Sequence, residues 1–509
     1  MATPRAINAV QMHRDIAARE RGGGQQLHFD QETKKLVKRS DMTWHDHLIM
    51  LLNLGAAIEH ALMVQYLFAA YTLGNTHVPE QYRPNVQKWQ ETILSVAREE
   101  MGHLLTVQNV LTLMGAGVNL NRQNFPWDIA YYPFPFTLEP LSLDSLARYV
   151  YAEMPLDELK SDDPLIVEIR HRAIGGKSPD EVHSVGLIYG EIIELIQNEK
   201  RIQDSSFHEN TYSHQASWDD WGRRYGPELR RLDAEGSVAE PPAGVIGGAE
   251  EPKADPHSRA ILLIQQVASR TEAIAALYAV SVQGEGPHGA GEGEMSHFQR
   301  FLHIYKDWKQ IVTEDWLPTR NVVKNPTTQK LPNAQDQQGY ISWRYTQHWA
   351  DLFNTRYRLL LNLISHTFRE ALATPPDQPS LRAVLMHRIF GEMYNLKAIA
   401  GILVQLPVKD LGGAEPDRDT LYAGPPFQMP FSLTLPPSNA DAFGMHLDVL
   451  GSSDKLCYEI LYCRPSKDKP AYISQRPEDE AFIRTLLDID SQTRDSIAAA
   501  IAGLGKSGR

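Results

Sequence analysis

The sequence predicts a mainly α-helical protein built round a four-helix bundle, and three observations carry that expectation. One phrase, Glu-Met-x-His, is written twice, as Glu100-Met-Gly-His103 and Glu294-Met-Ser-His297. Both copies continue into apolar residues at helical spacing, in REEMGHLLTVQNVLTLMGAG and GEMSHFQRFLHIYKDW. A third stretch, HLIMLLNLGAAIEHALMVQYLFAAYTLG, is apolar nearly all round, the mark of a central bundle helix.

On a helix, positions i and i+3 are neighbours on one face, so each phrase would aim a carboxylate and an imidazole at one point. With 32 Glu and 19 His in 509 residues, roughly one Glu-x-x-His is expected by chance, and the chain has four. Glu168-x-x-His171 lies in a short charged stretch without a long apolar run, and Glu285-Gly-Pro-His288 holds a helix-breaking pair. The flanks therefore single out the two Glu-Met-x-His copies.

The elements follow in order. The first helix ends at Gly74-Asn75, and the second runs from about Pro84 to Met114, stopped by Gly115 and Gly117. A Pro- and aromatic-rich crossover, FPWDIAYYPFPFTLEP, leads to a shorter helix near Leu143 to Glu153. His183 to Lys200 reads as the third long helix, and 205–256, rich in Gly, Pro, Asp, Ser and Trp, as an excursion able to act as a lid. Helix resumes from Ser258 to Val282, and the Gly-rich QGEGPHGAGEG precedes the second ligand helix, which runs to about Val312. Residues 1–40 read as an N-terminal arm, 41–318 as the bundle and 319–509 as an extension. That extension has helices at Trp343–Leu372, Leu381–Val404 and Glu478–Leu504, and small β elements at FSLTL and LCYEILYC. Glu392-Met-Tyr-Asn395 echoes the repeated phrase with Asn in place of His and reads as an ordinary helix interior.

Hydrophobic content of 42% and charged content of 22% are those of a folded, water-soluble chain, and a net charge of −13 argues against nucleic acid or anionic membrane as partners. The stretch from Leu48 to Leu73 is apolar enough for a membrane span, but Asn53, Glu59, His60 and Gln65 in its middle favour burial in protein. The N-terminal residues lack the pattern of a secretory signal. Cys457 and Cys463, taken as lying on a strand, would stand roughly 20 Å apart and stay reduced, so a cytoplasmic location is expected.

Glu59 is an acid set among Leu, Ile, Ala and Met, where a carboxylate is costly unless a cation meets it. With Glu191 favoured over Glu194 on the third helix, the expected ligand set is Glu59, Glu100, His103, Glu191, Glu294 and His297, with Glu285 as an alternative. Glu59, Glu100, His103 and His297 are the expected catalytic group. Four carboxylates and two imidazoles balance two divalent ions, and hard oxygens with imidazole suit iron, with manganese also possible. His60 reads as a core or outer histidine and Tyr66 as aromatic core.

IEHALMVQYLFAAYTL, AREEMGHLLTVQNVLTLMGAG and VQGEG…SHFQRF resemble the ferritin-like domain of the iminophenyl-pyruvate dimer synthase and chromopyrrolate synthase family, over about residues 45 to 310. The resemblance implies oxidative chemistry on amino-acid-derived imines in secondary metabolism. The family members are longer, so this chain would be a stand-alone relative, and haem is not expected from it. Where the family often has an acid on the third helix this chain has Leu187, one turn from Glu191. The combined expectation is a non-haem dinuclear iron oxidase or oxygenase using O₂ or peroxide on a small amino-acid-derived substrate that enters near the 284–293 loop. A homo-oligomer is compatible with it. A manganese catalase-like dismutase and a ferritin-like metal store are the alternatives.

Overall fold

The computed structural model describes residues 35–507 apart from 130, 131, 133, 175–184, 222–230, 233–237, 240–261, 287–294, 331–336, 338 and 373–379. These residues form two compact units, one of 35–137 with 141–318 and the other of 138–140 with 319–507.

In the first unit, α1 (Trp44–Thr72) and α2 (Arg83–Leu113) form the longest packed pair. Thr43 and Asp46 cap α1 reciprocally, satisfying two of its free amides. Its length and composition would allow it to cross a bilayer, yet 89% of its most apolar window is buried by the rest of the protein. Helix α2 starts with Pro84 in its first turn and ends at Gly115, whose φ of +72° is the left-handed conformation that glycine takes without strain. A Cβ at Gly115 would also meet the His208 ring at 2.8 Å.

Four more helices complete the unit's packing round that pair: α3 (Leu143–Ala152), α4 (Pro164–Ile174), α5 (Val185–Gln197) and α6 (Arg270–Glu285). With them packs α7 (His297–Ile311). Helix α5 lies against α1 and α6, while α3 lies against α4 and α7. Two expectations are corrected. Residues 262–268 are extended rather than helical, because Ser269 caps α6 and sets its start at Arg270. The second Glu-Met-x-His copy is not contained in a helix: Ser296 and Gln299 form a capping box, so α7 begins at His297 itself. Of the 205–256 excursion, the described part holds short helical turns and a two-residue antiparallel pairing of β1 (Arg231–Leu232) with β2 (Val238–Ala239); its remainder lies outside the described residues.

The second unit packs α8 (Arg344–Thr367) against α9 (Leu381–Leu403) and α10 (Asn439–Tyr462), with α11 (Pro477–Ser507) on α10. The expected β elements are absent among its described residues, where only isolated bridges such as Val322 with Tyr422 occur. FSLTL is irregular, and LCYEILYC continues α10. The six-position step between the cysteines therefore rises about 9 Å along a helix rather than roughly 20 Å along a strand. Cys457 and Cys463 are free thiols, and burial pushes Cys457 up to about 12.

Arg356 on α8 is fully buried and ties three other helices together. Its Nε and Nη2 meet Glu392 at 2.7 and 2.6 Å, and its Nη1 meets the two Asp490 oxygens at 2.7 and 2.6 Å and Ser453 Oγ at 3.2 Å. Glu392-Met-Tyr-Asn395 is thus part of a structural ion network. Nearby, Asn439 donates from Nδ2 to Glu370, which turns its Oδ1 toward His366 Nε2 at 3.3 Å. His366 then donates from Nε2 and accepts at Nδ1 from His446 Nε2 at 3.0 Å, an arrangement that requires the His366 ring neutral. Burial pushes His366 down to about 4 and His446 down to about 3.

Two outcomes are expected for this unit. Arg356→Leu leaves two buried carboxylates uncompensated and should lower unfolding stability by about 3–5 kcal/mol, measured by denaturant titration; a loss below about 1 kcal/mol would contradict the network's role. The histidine pair has depressed folded-state pKa values, so its contribution is intact above the unfolded value near 6.5 and is lost as pH falls toward 4. The unit's denaturation midpoint should fall steadily between pH 7 and 4.5, and His366→Gln with His446→Gln should flatten that slope.

Candidate metal centre

Glu100 sits at the middle of the first unit with one carboxylate oxygen toward each of two histidines. Its Oε2 lies 3.0 Å from His103 Nδ1 and its Oε1 lies 2.8 Å from His297 Nδ1. The i to i+3 spacing on α2 supplies the first contact, and the first residue of α7 supplies the second. One ligand atom from each of Glu100, His103 and His297 falls within 4.8 Å of the others.

Two more acids flank this group. Glu59 of α1 places Oε2 3.6 Å from His103 Nδ1, and Glu153, the residue that caps the end of α3, places Oε2 3.8 Å from His297 Nδ1. Each is held from behind by a phenol. Tyr189 of α5 donates to Glu59 Oε1, and Tyr66 of α1 donates to Glu153 Oε1 at 2.5 Å. All five ligand candidates are at most 4% exposed.

Both imidazoles turn the same nitrogen inward. His103 Nε2 meets Gln283 Oε1 at 2.9 Å, and His297 Nε2 meets Glu99 Oε2 at 2.8 Å. Those oxygens only accept, so each Nε2 carries the proton and each Nδ1 presents its lone pair to the acids. His297 Nδ1 is buried without an aligned hydrogen bond even though Glu100 is 2.8 Å away. A buried lone pair directed at converging carboxylates is what a bound cation satisfies.

The electrostatics agree. Burial and the neighbouring Glu100 carboxylate push Glu59 up to about 8. Burial opposes ionisation of Glu100 too, but His297 and His103 hold it well below the usual carboxylate range. Against the same burial, Glu100 pushes His103 up to about 10 and His297 well above the ordinary imidazole value. Without a metal, the acids favour protons on the inward nitrogens. A cation and a proton would compete for the same lone pairs.

The residues expected from sequence divide as follows. Glu59, Glu100, His103 and His297 are brought together. Glu285, at the end of α6, lies close enough to act electrostatically on Tyr132 and Tyr189, both of which also feel the central acids. Glu294 lies outside the described residues, as does the 287–294 part of the proposed substrate entrance. Glu191 is corrected: its carboxylate faces His47 Nε2 at 3.6 Å and the Leu36 amide at 3.3 Å. His47 stands twelve residues before Glu59 on α1, about 18 Å along the axis. Tyr189, one half-turn earlier on α5, is the residue that this helix contributes. Glu194 pairs with Lys35 near the surface, His60 accepts its place in the core through Leu120 O at 3.0 Å, and Tyr66 holds a ligand candidate.

Four contributors were not identified from sequence: Glu153, Glu99, Gln283 and Tyr189. Glu153 had a readable signal, an acid directly after the apolar run LARYVYA. Gln283 and Gly284 carry their signal only in three dimensions. A Cβ on Gly284 would stand 3.1 Å from Glu153 Oε2. Gly102, inside the first phrase, has a similar reason. The extended segment 262–268 crosses α2 there, with Leu263 O accepting from Thr106 Oγ1 at 3.0 Å, and a Cβ at 102 would meet that carbonyl at 2.7 Å. Gly102→Ala gains up to about 1 kcal/mol of helix propensity but forces the crossing segment outward, a cost of about 1–3 kcal/mol. A lowered thermal midpoint is expected, and an unchanged or raised one would show that the segment yields freely.

Comparison with known proteins gives the chain's relatives. The chain is 26% identical over 416 residues to a dichlorochromopyrrolate synthase of Lentzea aerocolonigenes, covering 75% of this chain and 36% of the relative. It is 33% identical over 126 residues to a 2-imino-3-(indol-3-yl)propanoate dimerase of Chromobacterium violaceum, covering 19% of this chain and 12% of the relative. The matched part of the chain thus spans 36% of the first relative's length and 12% of the second's. No solved structure matches. The model of the ferritin-like family matches residues 52–306, the span that holds every ligand candidate described above, and the chain belongs to that family.

Proposed function

We propose that this protein is a non-haem dinuclear iron oxidase or oxygenase that uses O₂ or peroxide on a small amino-acid-derived substrate in secondary metabolism. The observation that carries the reading is the placement of Glu100, one oxygen toward each of two Nδ1 lone pairs, with a further acid beside each histidine. One position would be held by Glu59 and His103 and the other by Glu153 and His297, with Glu100 between them. The donor set of carboxylate and imidazole, without thiolate, suits iron or manganese. Two such ions would supply two-electron redox chemistry with O₂ or peroxide.

The chain's own residues have definite tasks in this reading. Tyr189 and Tyr66 fix the outer oxygens of Glu59 and Glu153, leaving the inner ones for ligation. Gln283 and Glu99 fix the histidine tautomers. Burial of all these groups keeps bulk water away and strengthens each electrostatic contact. Tyr132 stacks on Phe136 with ring centroids 4.2 Å apart, and its buried hydroxyl lies in the field of Glu153, Glu285 and Glu100, where it can donate to a bound molecule. The relatives' printed names, one a synthase and one a dimerase of an imine carrying an indole, support an amino-acid-derived imine as the substrate class. A cytoplasmic setting accords with the two free thiols.

Elemental analysis tests the centre. The purified chain should carry about two iron or manganese ions, and Glu100→Ala and His297→Ala should each lose most of them. Glu153→Ala should do the same, whereas Glu191→Ala should retain the wild-type content. Equal loss in the last two variants would contradict the ligand set, and unchanged content in the first two would sink the centre altogether. Metal-loaded protein that consumes neither O₂ nor peroxide in the presence of amino-acid-derived imines would overturn the oxidase reading. Rapid peroxide disproportionation without organic substrate would replace it with a dismutase.

A further inference from the structure

The two halves of the centre are built alike up to the inward nitrogens and differ behind them. His103 Nε2 donates to the neutral side-chain amide of Gln283, 2.9 Å away. His297 Nε2 donates to a carboxylate, Glu99, 2.8 Å away. Glu99 has its other oxygen on Arg300 Nη1 at 2.9 Å, and Arg300 is itself anchored by Nε to Met295 O at 2.9 Å. Glu99, His297 and Arg300 are no more than 1% exposed.

A hydrogen bond to an anion is roughly twice as strong as one to a neutral acceptor. It draws the Nε2 proton outward and returns electron density to Nδ1, which makes that nitrogen the stronger donor. Arg300 sets the direction of this effect. Its guanidinium, 2.9 Å from Glu99 Oε1, matches the buried carboxylate with a fixed positive charge, so Glu99 accepts from His297 and the proton stays on the imidazole. At longer range the Glu99 and Arg300 charges largely cancel. The difference between the halves is therefore transmitted through one hydrogen bond.

We infer that the two metal positions are unequal: the one on His297, backed by Glu99, takes a divalent cation first and holds it more tightly than the one on His103, backed by Gln283. Glu99 and Gln283 are positioning residues in this scheme. The inference rests on the dimetal reading above and adds an order of loading to it.

Titration of the metal-free full-length chain with Co²⁺ under nitrogen, followed by equilibrium dialysis and by visible absorption, reads the two steps separately. Wild type should bind in two steps at least about tenfold apart in affinity. The tight step should weaken by about 10–100-fold in Glu99→Gln/Arg300→Gln, the double substitution avoiding an unpaired buried cation. In Gln283→Leu only the weak step should weaken, and in Gln283→Glu the two steps should converge. Two equal steps in wild type, or a common shift of both steps in the Glu99/Arg300 and Gln283 variants, would overturn the inequality while leaving a two-metal centre intact. Absence of stoichiometric Co²⁺ binding in wild type would overturn the centre itself.

Discussion

The Glu100 carboxylate, 1% exposed and shared between two imidazoles, is the constraint on which the bundle is organised. An acid in so dry a place is tolerated only if positive charge meets both its oxygens. One histidine therefore comes from α2 itself, a turn after Glu100, and α7 must deliver the other, while the flanking acids Glu59 and Glu153 make the demand for positive charge larger still. In the metal-free chain the same acids raise the proton affinity of His103 and His297. Two divalent ions would meet the demand more completely.

That electrostatic centre dictates the unusual packing round it. The α2 phrase carries Gly102 where the 262–268 segment crosses at contact distance, and that segment runs directly into α6, which ends in Gln283, Gly284 and Glu285. Each of the three has a separate relation to the centre: an amide on His103, open space for Glu153 and a carboxylate near Tyr132 and Tyr189. The extended path is the local cost of bringing α6 in at the right height, and the hydrogen bonds of Thr106, Asn109 and Gln215 to its backbone offset it.

Much of this was legible in one dimension because it rests on local rules. The apolar α1 with one acid at its middle, the helical spacing of Glu100 and His103, and the glycine stop at Gly115 each follow from periodicity or backbone preference. Glu191 was misread because a helix face was judged without its partner: α5 turns Tyr189 to the centre and Glu191 to His47. The second phrase was misread as helical throughout, although Ser296-x-x-Gln299 spells the capping box that starts α7 at His297. LCYEILYC was assigned to a strand because Cys, Tyr, Ile and Leu suit strands as well as helices over so short a run. Glu99 and Gln283 could not be assigned from spacing at all, since their roles depend on which histidine nitrogen faces them.

The chain offers its own control for reading a buried ionic cluster as a metal site. Glu392-Met-Tyr-Asn395 in the second unit begins with the same two residues as Glu100-Met-Gly-His103 and also buries its acid, yet there Arg356 supplies five directed contacts and leaves no converging lone pair. A guanidinium has donors only, so it completes the carboxylates around it and closes the network. At Glu100 the surrounding groups are imidazoles oriented by Gln283 and Glu99 so that their acceptor nitrogens face inward. Acceptors that converge on acceptors need a proton or a metal cation between them. The distinction between the two sites lies in the direction in which the neighbouring nitrogens present their lone pairs, and this holds although the acids and their burial are alike.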